Sequence, residues 1–374
     1  MKTVFLYSDE FERFDYGSNH PLKVIRLKLT YELIKACGLL SSDDTRVIKP
    51  LLADIDDLLL FHTAHYIDIL RNANAGRPFP DAAASGLGPG DNPIFPGIYD
   101  GSRLIAGASL RAADLVDSGE ASIAFAISGG LHHAMADHAS GFCYVNDPVL
   151  AIASLVKRGR RVVYIDIDAH HGDGVQAAFY ETDKVLTISL HETGDLLFPG
   201  TGFEHETGTG EGAGYSINIP LPPGTDDELF VYAFSEVVPR SVEAFNPDIV
   251  VSQLGVDTFR SDPLAHLNLT TNGFCELVEM IKSLAPRWLA LGGGGYDIAN
   301  VARAWTLAWS IMNNVDVADE IPEAFLQQYA GAGFTSGKLR DKRFAITGRR
   351  KEQMKKEVDR VIAYIRRAHA NLLD

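Results

Sequence analysis

Five titratable side chains fall within eight positions of the segment YIDIDAHHGDG, Tyr164 to Gly174: Asp166, Asp168, His170, His171 and Asp173. The segment continues the apolar run RVVYI, so the pattern predicts a buried strand that ends in these groups. If the strand continues, its two-residue period places Asp166, Asp168 and His170 on one face, where carboxylate oxygens and an imidazole nitrogen can converge. Mixed oxygen and nitrogen donors suit zinc or another borderline divalent ion. An EF-hand calcium loop does not fit, because its obligatory glycine position holds His171 and its closing glutamate position holds Ala177. A second cluster, SGGLHHA at Ser128 to Ala134, carries the paired imidazoles His132 and His133, which can ligate a metal or serve as acid and base held by carboxylate partners. In SQLGVDTF, Asp257 follows another apolar run and could act as a helix cap or as a ligand. In LGGGGYD, four consecutive glycines let backbone approach a site closely and release Tyr296 at its edge. Phosphate-loop readings fail: no GK[ST] follows these glycines, and GTGEGA at Gly208 to Ala213 precedes a strand instead of opening a helix.

The elements that must position these groups follow from periodicity. Candidate strands are Thr3 to Leu6, Ser122 to Phe125, Arg161 to Ile165, Val185 to Leu190, Ile249 to Leu254 and Trp288 to Leu291. Helical patterns lie between them at Val24 to Cys37, Ile98 to Val116, Pro148 to Val156, Gly174 to Tyr180, Asp226 to Phe245, Thr270 to Leu284 and Asn300 to Met312. This alternation predicts an α/β architecture, a mainly parallel sheet covered by helices on both faces. Ligands in such sheets sit beyond the carboxyl ends of the strands, where the chemistry-bearing segments fall. Two long loops, Asn74 to Pro96 and Glu192 to Gly214, interrupt the pattern; the second holds seven glycines in 23 residues. Neither separates halves of distinct composition, and no internal repeat is present, so one catalytic domain spanning 1–374 is expected.

With 46% hydrophobic and 22% charged residues, the 374-residue chain can bury a large core, which excludes general disorder. Three scattered cysteines offer neither a disulfide framework nor a CxxC zinc site and point to a reducing compartment. The start, MKTVFLYSDEFERF, meets acids before any long apolar stretch, and no apolar run reaches the ~20 residues of a membrane span. A soluble, cytoplasmic protein with no membrane partner is expected. The net charge of −15 disfavours nucleic-acid phosphates and suits a neutral or cationic partner. Lys338 to Asp374 is locally basic, with twelve Lys or Arg against five acids, and is read as a terminal helix burying Val358, Ile362 and Ile365 in preference to a nucleic-acid arm.

Taken together, HPLKVIR, HHA, GFCYVNDP, YIDIDAHHGDGVQAAFY, ISLH, FPGTG, GVD and LGGGGYDIANVARAWT, in this order from about His20 to Trp309, resemble the motifs of the histone deacetylase family, its bacterial acetoin-utilisation members included. The resemblance implies an arginase-like three-layer α/β fold with about eight strands. It assigns Asp168, His170 and Asp257 as ligands of one zinc ion per chain, and only this match raises Asp257 above a cap. It pairs His132 with Asp166 and His133 with Asp173 as catalytic dyads, and makes Tyr296 the hydrogen-bond donor to the developing oxyanion. It also implies a tunnel walled by Gly141, Phe142 and Phe198, with Leu264 near the rim and Asp91 holding the substrate backbone. Potassium is implied at an inner site of Asp166, Asp168, His170, Ser189 and Leu190 and an outer site of Phe179, Thr182, Val185 and Tyr215. Leu131 departs from the tryptophan of many nuclear members, a change in pocket packing more than in chemistry.

The implied activity is hydrolysis of an acylated lysine in a peptide or protein to free lysine and a carboxylate, with zinc polarising the carbonyl and His133 handling the proton. An acetylpolyamine amidohydrolase shares the chemistry, but Leu264 at the rim offers no acidic selector for a polyamine. A two-manganese ureohydrolase needs a second DxD pair, which GVDTF does not supply. A catalytically dead binding module would be expected to have lost a ligand or Tyr296, and all are present.

Overall fold

The apolar runs IAFA, VVYID, IVVSQ and WLAL leave no side chain exposed on either face, and such strands are stable only in the middle of a covered sheet. A computed structural model describes residues 2–77, 83–88 and 90–373 and places them there. The elements run β1 (Thr3–Leu6), α1 (Ile25–Ala36), β2 (Thr45–Ile48), α2 (Ile55–Leu58), α3 (Ala64–Asn74), α4 (Ile98–Ser118), β3 (Ile123–Ala126), α5 (Asp147–Lys157), β4 (Val162–Asp166) and α6 (Asp173–Phe179). They continue with β5 (Val185–Glu192), β6 (Ser216–Leu221), α7 (Asp227–Phe245), β7 (Ile249–Gln253), α8 (Thr271–Leu284), β8 (Trp288–Leu291), α9 (Ile298–Met312), α10 (Glu323–Gln328), α11 (Gly348–Ala368) and α12 (Ala370–Leu373). The strands form one eight-stranded sheet in the order β2-β1-β3-β8-β7-β4-β5-β6, and every pairing is parallel. Helices α3 to α6 pack among themselves, and α1, α7, α8 and α9 form a second contacting set joined by α10, α11 and α12, which gives the two helical layers.

The six expected strands are all present, and β2 and β6 are additional. Both lie at sheet edges: β2 is short and half-exposed, and β6 contains Pro220, which an edge position tolerates. One expectation is corrected, because β4 ends at Asp166 and does not continue through Asp168 and His170. The basic tail is a helix, α11, that buries Met354, Val358, Val361, Ile362 and Ile365 against α7 and β6. Its cations are drawn onto acids, with Arg360 on Glu204 at 2.6 Å, Lys351 on Glu228 and Arg366 on Glu236. Among the described residues, no helix is long and apolar enough to cross a membrane.

Sheet order explains the site. The segments after β3, β8, β7 and β4 carry His132 and His133, Gly292 to Tyr296, Asp257, and Asp168 with His170, and these four strands are consecutive neighbours. Residues far apart in sequence therefore leave the sheet side by side at its carboxyl edge.

Candidate active site

Asp168, His170 and Asp257 are buried, and one donor atom from each lies within 4.8 Å of the others. His170 Nδ1 stands 2.9 Å from Asp257 Oδ2 and 3.3 Å from Asp168 Oδ1. Each carboxylate is oriented by backbone: Asp168 Oδ1 accepts from His170 N at 3.0 Å, Asp168 Oδ2 from Gly294 N at 2.7 Å, and Asp257 Oδ1 from Ala169 N at 2.8 Å. A side chain at 294 could not allow this approach, since its Cβ would stand 2.0 Å from Asp257 Oδ2. Burial opposes charge on Asp168, but His132 and His170 more than offset it and hold the carboxyl well below its ordinary range. Burial and the neighbouring Asp168 push Asp257 up to about 6. Burial alone would lower His170, yet Asp257 and Asp168 hold it well above its ordinary value. Two acids and one imidazole converging in a water-poor pocket, each acid aimed by a backbone amide, fit a divalent cation with room for further ligands.

Asp166 is the residue the strand pattern misplaces. Its Oδ1 accepts from Asp168 N at 3.0 Å and its Oδ2 from the Tyr164 hydroxyl at 2.8 Å, and the ring of His132 takes up the rest. The third donor beside Asp168 and His170 is Asp257, delivered by the neighbouring strand β7.

The paired histidines each meet a carboxylate: His132 Nδ1 lies 2.8 Å from Asp166 Oδ2, and His133 Nδ1 lies 2.7 Å from Asp173 Oδ1. Their Nε2 atoms stand 3.0 Å apart. Burial alone would lower His132, but Asp166 and Asp168 outweigh it and raise it to about 9. Burial pushes His133 down to about 4, and the adjacent His132 charge adds to this. At neutral pH the positive charge of the pair therefore rests on His132, and His133 is neutral with Nε2 unprotonated. Tyr296 lines the same cavity as His132, His133, Asp168 and His170. Its backbone N–H donates to Asp262 Oδ2 at 2.8 Å, and burial pushes its phenol well up, so the hydroxyl keeps its proton.

Around this centre, Gly141 and Phe142 adopt positive φ of 50° and 69°. A Cβ on Gly141 would meet His133 Cδ2 at 2.5 Å, so only glycine lets the wall close on that ring. Phe198, 44% exposed, has its ring centroid 5.0 Å from that of His133. Phe142 lies edge-on to Tyr296 with centroids 5.7 Å apart. Half-buried Leu264 donates its N–H to Asp262 Oδ1, so Asp262 ties this loop to Tyr296. Asp91 is exposed in a neighbouring loop. Leu131 is buried in a small cluster with Ala134 and Cys143. Of the residues expected around potassium, Asp166 and Ser189 are register partners, Leu190 follows in β5, Thr182 N donates to the Phe179 carbonyl at 3.4 Å, Val185 opens β5, and the Tyr215 carbonyl accepts from Thr187 N at 3.0 Å.

Sequence reasoning missed Gln253 and Asp262. Gln253 Nε2 reaches Asp168 Oδ2 at 3.2 Å, and its Oε1 stands 3.1 Å from the oxygen of the Tyr164 hydroxyl that donates to Asp166. Its signal was a polar residue closing an apolar run at the carboxyl edge of the sheet, where ligand-bearing groups gather.

A family model described as the histone deacetylase domain matches residues 20–312. The acetoin utilization protein AcuC of Bacillus subtilis (strain 168) is 42% identical over 335 residues, which cover 87% of this chain and 86% of that protein. Histone deacetylase B of Dictyostelium discoideum is 41% identical over 332 residues, covering 88% of this chain and 78% of that one. A crystal structure of an HDAC homolog complexed with SAHA superposes with a TM-score of 0.89 at 33% identity, covering 99% of this chain and 100% of that one. The parallel sheet and its two helical layers are the arginase-like fold of that homolog.

Proposed function

The chain belongs to the histone deacetylase family, a family of hydrolytic deacetylases, and from that premise we propose that it removes acyl groups from the ε-amine of lysine within a peptide or protein, yielding free lysine and a carboxylate. One observation carries the reading: a cavity lined by Gly141, Phe142, His132, His133 and Tyr296 also reaches Asp168 and His170 of the buried three-residue cluster, Phe198 packs against the His133 ring, and apolar Leu264 and exposed Asp91 lie in the loops around it. Zinc held by those three residues, one ion per chain, would supply Lewis acidity, polarising the acyl carbonyl and making water nucleophilic at neutral pH.

The chain's own groups divide the remaining work. His133, unprotonated at Nε2 and held through Nδ1–H by Asp173, takes the proton of the attacking water and passes it to the leaving amine as the C–N bond breaks. His132 contributes positive charge, stabilised by Asp166. The Tyr296 hydroxyl donates to the carbonyl oxygen as it becomes an oxyanion, and its raised pKa keeps that donor available. Asp91 receives the backbone N–H groups of the peptide. Potassium belongs to the same proposal, at the inner site of Asp166, Asp168, His170, Ser189 and Leu190 and the outer site of Phe179, Thr182, Val185 and Tyr215. The close seat of α11 on α7 and β6 supports reading 1–374 as one catalytic unit. Three free cysteines, Cys37, Cys143 and Cys275, support a reducing, cytoplasmic setting.

Leu264 is the observation that favours a peptide over an acetylpolyamine, whose second ammonium would meet an apolar side chain there. Turnover with fixed metal loading tests this: kcat/KM for acetyl-lysine peptides is expected to exceed that for acetylputrescine or acetylspermidine. Better turnover of the acetylpolyamines would make the protein an acetylpolyamine amidohydrolase instead.

A further inference from the structure

The loop that bears Asp91 is fastened to the tunnel wall by side chains outside the chemistry described above. His20 is buried, and its Nδ1 accepts from Leu22 N at 3.1 Å. That bond leaves the ring proton on Nε2, which donates to the Asp91 carbonyl at 3.0 Å. Burial lowers the imidazole's pKa, in keeping with this neutral tautomer. The ring stacks on Tyr16, centroids 4.7 Å apart, and meets Phe142 edge-on at 4.5 Å. The next residue, buried Asn92, accepts from Phe142 N at 3.1 Å and donates to the Cys143 carbonyl at 3.2 Å. Tyr16 in turn donates its hydroxyl to the Phe142 carbonyl at 2.9 Å. Phe142, held at a φ of 69° that non-glycine residues seldom adopt, is thus gripped at both its N–H and its carbonyl.

We infer that His20 is a positioning residue for peptide substrates: with Asn92 it clamps the Asp91 loop to the Phe142 wall, so that the exposed Asp91 carboxylate stands at a fixed place relative to the tunnel. The inference rests on the peptide-holding role of Asp91 given above. An unclamped loop would still admit an acyl-alkylamine to the tunnel but would order its carboxylate only on meeting a peptide, and binding would weaken by that ordering.

The test uses the full-length, metal-loaded enzyme. His20→Phe keeps the ring packing and removes both hydrogen bonds, whereas His20→Gln keeps an N–H donor for the Asp91 carbonyl. His20→Phe should raise KM for an acetyl-lysine peptide by about tenfold, the scale of one well-placed hydrogen bond, with kcat changed by less than about threefold. KM for an N-acetylated linear alkylamine, which has no peptide backbone, should not move, and His20→Gln should recover most of the peptide KM. Amide hydrogen exchange in residues 90–97 should quicken in His20→Phe. An equal KM rise on both substrates, a loss mainly in kcat, or unchanged exchange in that segment would each overturn the clamp. Asp91→Ala is scored separately: if it leaves the peptide KM unchanged, the peptide-holding role of Asp91 fails, while the exchange measurement still judges the clamp.

Discussion

A single proton separates the roles of the two adjacent histidines. His132 and His133 have similar carboxylate partners at similar distances, yet one is raised to about 9 and the other lowered to about 4, because two buried imidazoles in contact cannot both be cationic. The histidine that also faces Asp168 keeps the charge. Replacing His133 by Ala should therefore lower kcat at neutral pH more than the same change at His132, by about tenfold or more, since it removes the proton acceptor and not just an electrostatic neighbour. Metal-loaded variants of equal fold, assayed side by side, check this, and equal losses would refute the division. The resemblance had already paired His132 with Asp166 and His133 with Asp173, whereas HHA at 132–134 by itself announced only metal or proton chemistry, because the pairing of each ring with its own carboxylate depends on which strands are neighbours. Asp257 makes the same point, since a lone Asp after an apolar run is indistinguishable from a cap until β7 lies beside β4.

Helices and strands were legible in proportion to how one-sided their burial is. The central strands and the long amphipathic helices announce themselves by period, whereas β2 does so weakly because this edge strand is partly exposed, and β6, though buried throughout, is broken as an apolar run by Ser216, Asn218 and Pro220. The candidate strand ending at Ile165 falls one residue short of the observed end of β4, and the continuation toward His170 fails for a local reason: the Asp166 and Asp168 side chains accept from backbone two residues on, a geometry that competes with the ladder. The start of α5 yields a prediction about the supporting frame. Asn146 caps this helix by accepting from Val149 N at 3.1 Å, and it also donates to the carbonyls of His132 and Ala134. Its own N–H donates to His62 Nε2 at 3.0 Å, and burial holds that imidazole down to about 4 from 6.5. Folded protein thus binds fewer protons than unfolded protein between these values, so stability should fall as pH drops through that window, by up to about 1.4 kcal/mol per unit for this group. Urea midpoints at several pH values between 4.5 and 7 should show a shallower slope for His62→Gln; an identical slope would clear His62 of the effect.

Across the whole molecule, charge is sorted. Three cations of α11 turn toward acids of α7 and of the loop before β6, and the chain as a whole carries a net −15. A peptide with basic residues flanking the acyl-lysine should be drawn in by that field. Its KM is expected to rise several-fold as the Debye length shrinks from about 30 Å at 0.01 M to about 8 Å at 0.15 M ionic strength, with potassium held constant. A neutral-flanked peptide should show no such rise, and parallel behaviour of the two would remove the steering term. The four-strand arrangement at the sheet centre has one more consequence, and it concerns folding. The cation donors leave β4 and β7, the amide that aims Asp168 follows β8, and the crossovers joining these strands run through whole helices. No local fragment can assemble the cluster, so it exists only once the middle of the sheet has closed. A divalent ion captured there acts as a ligand of the native state alone, and at a thousand times its dissociation constant such a ligand adds about 4 kcal/mol to stability. The ion that serves the chemistry would then also be the last component locked into a slow-forming topology, and the supply of metal would govern how much of the newly made chain survives as well as how much is active.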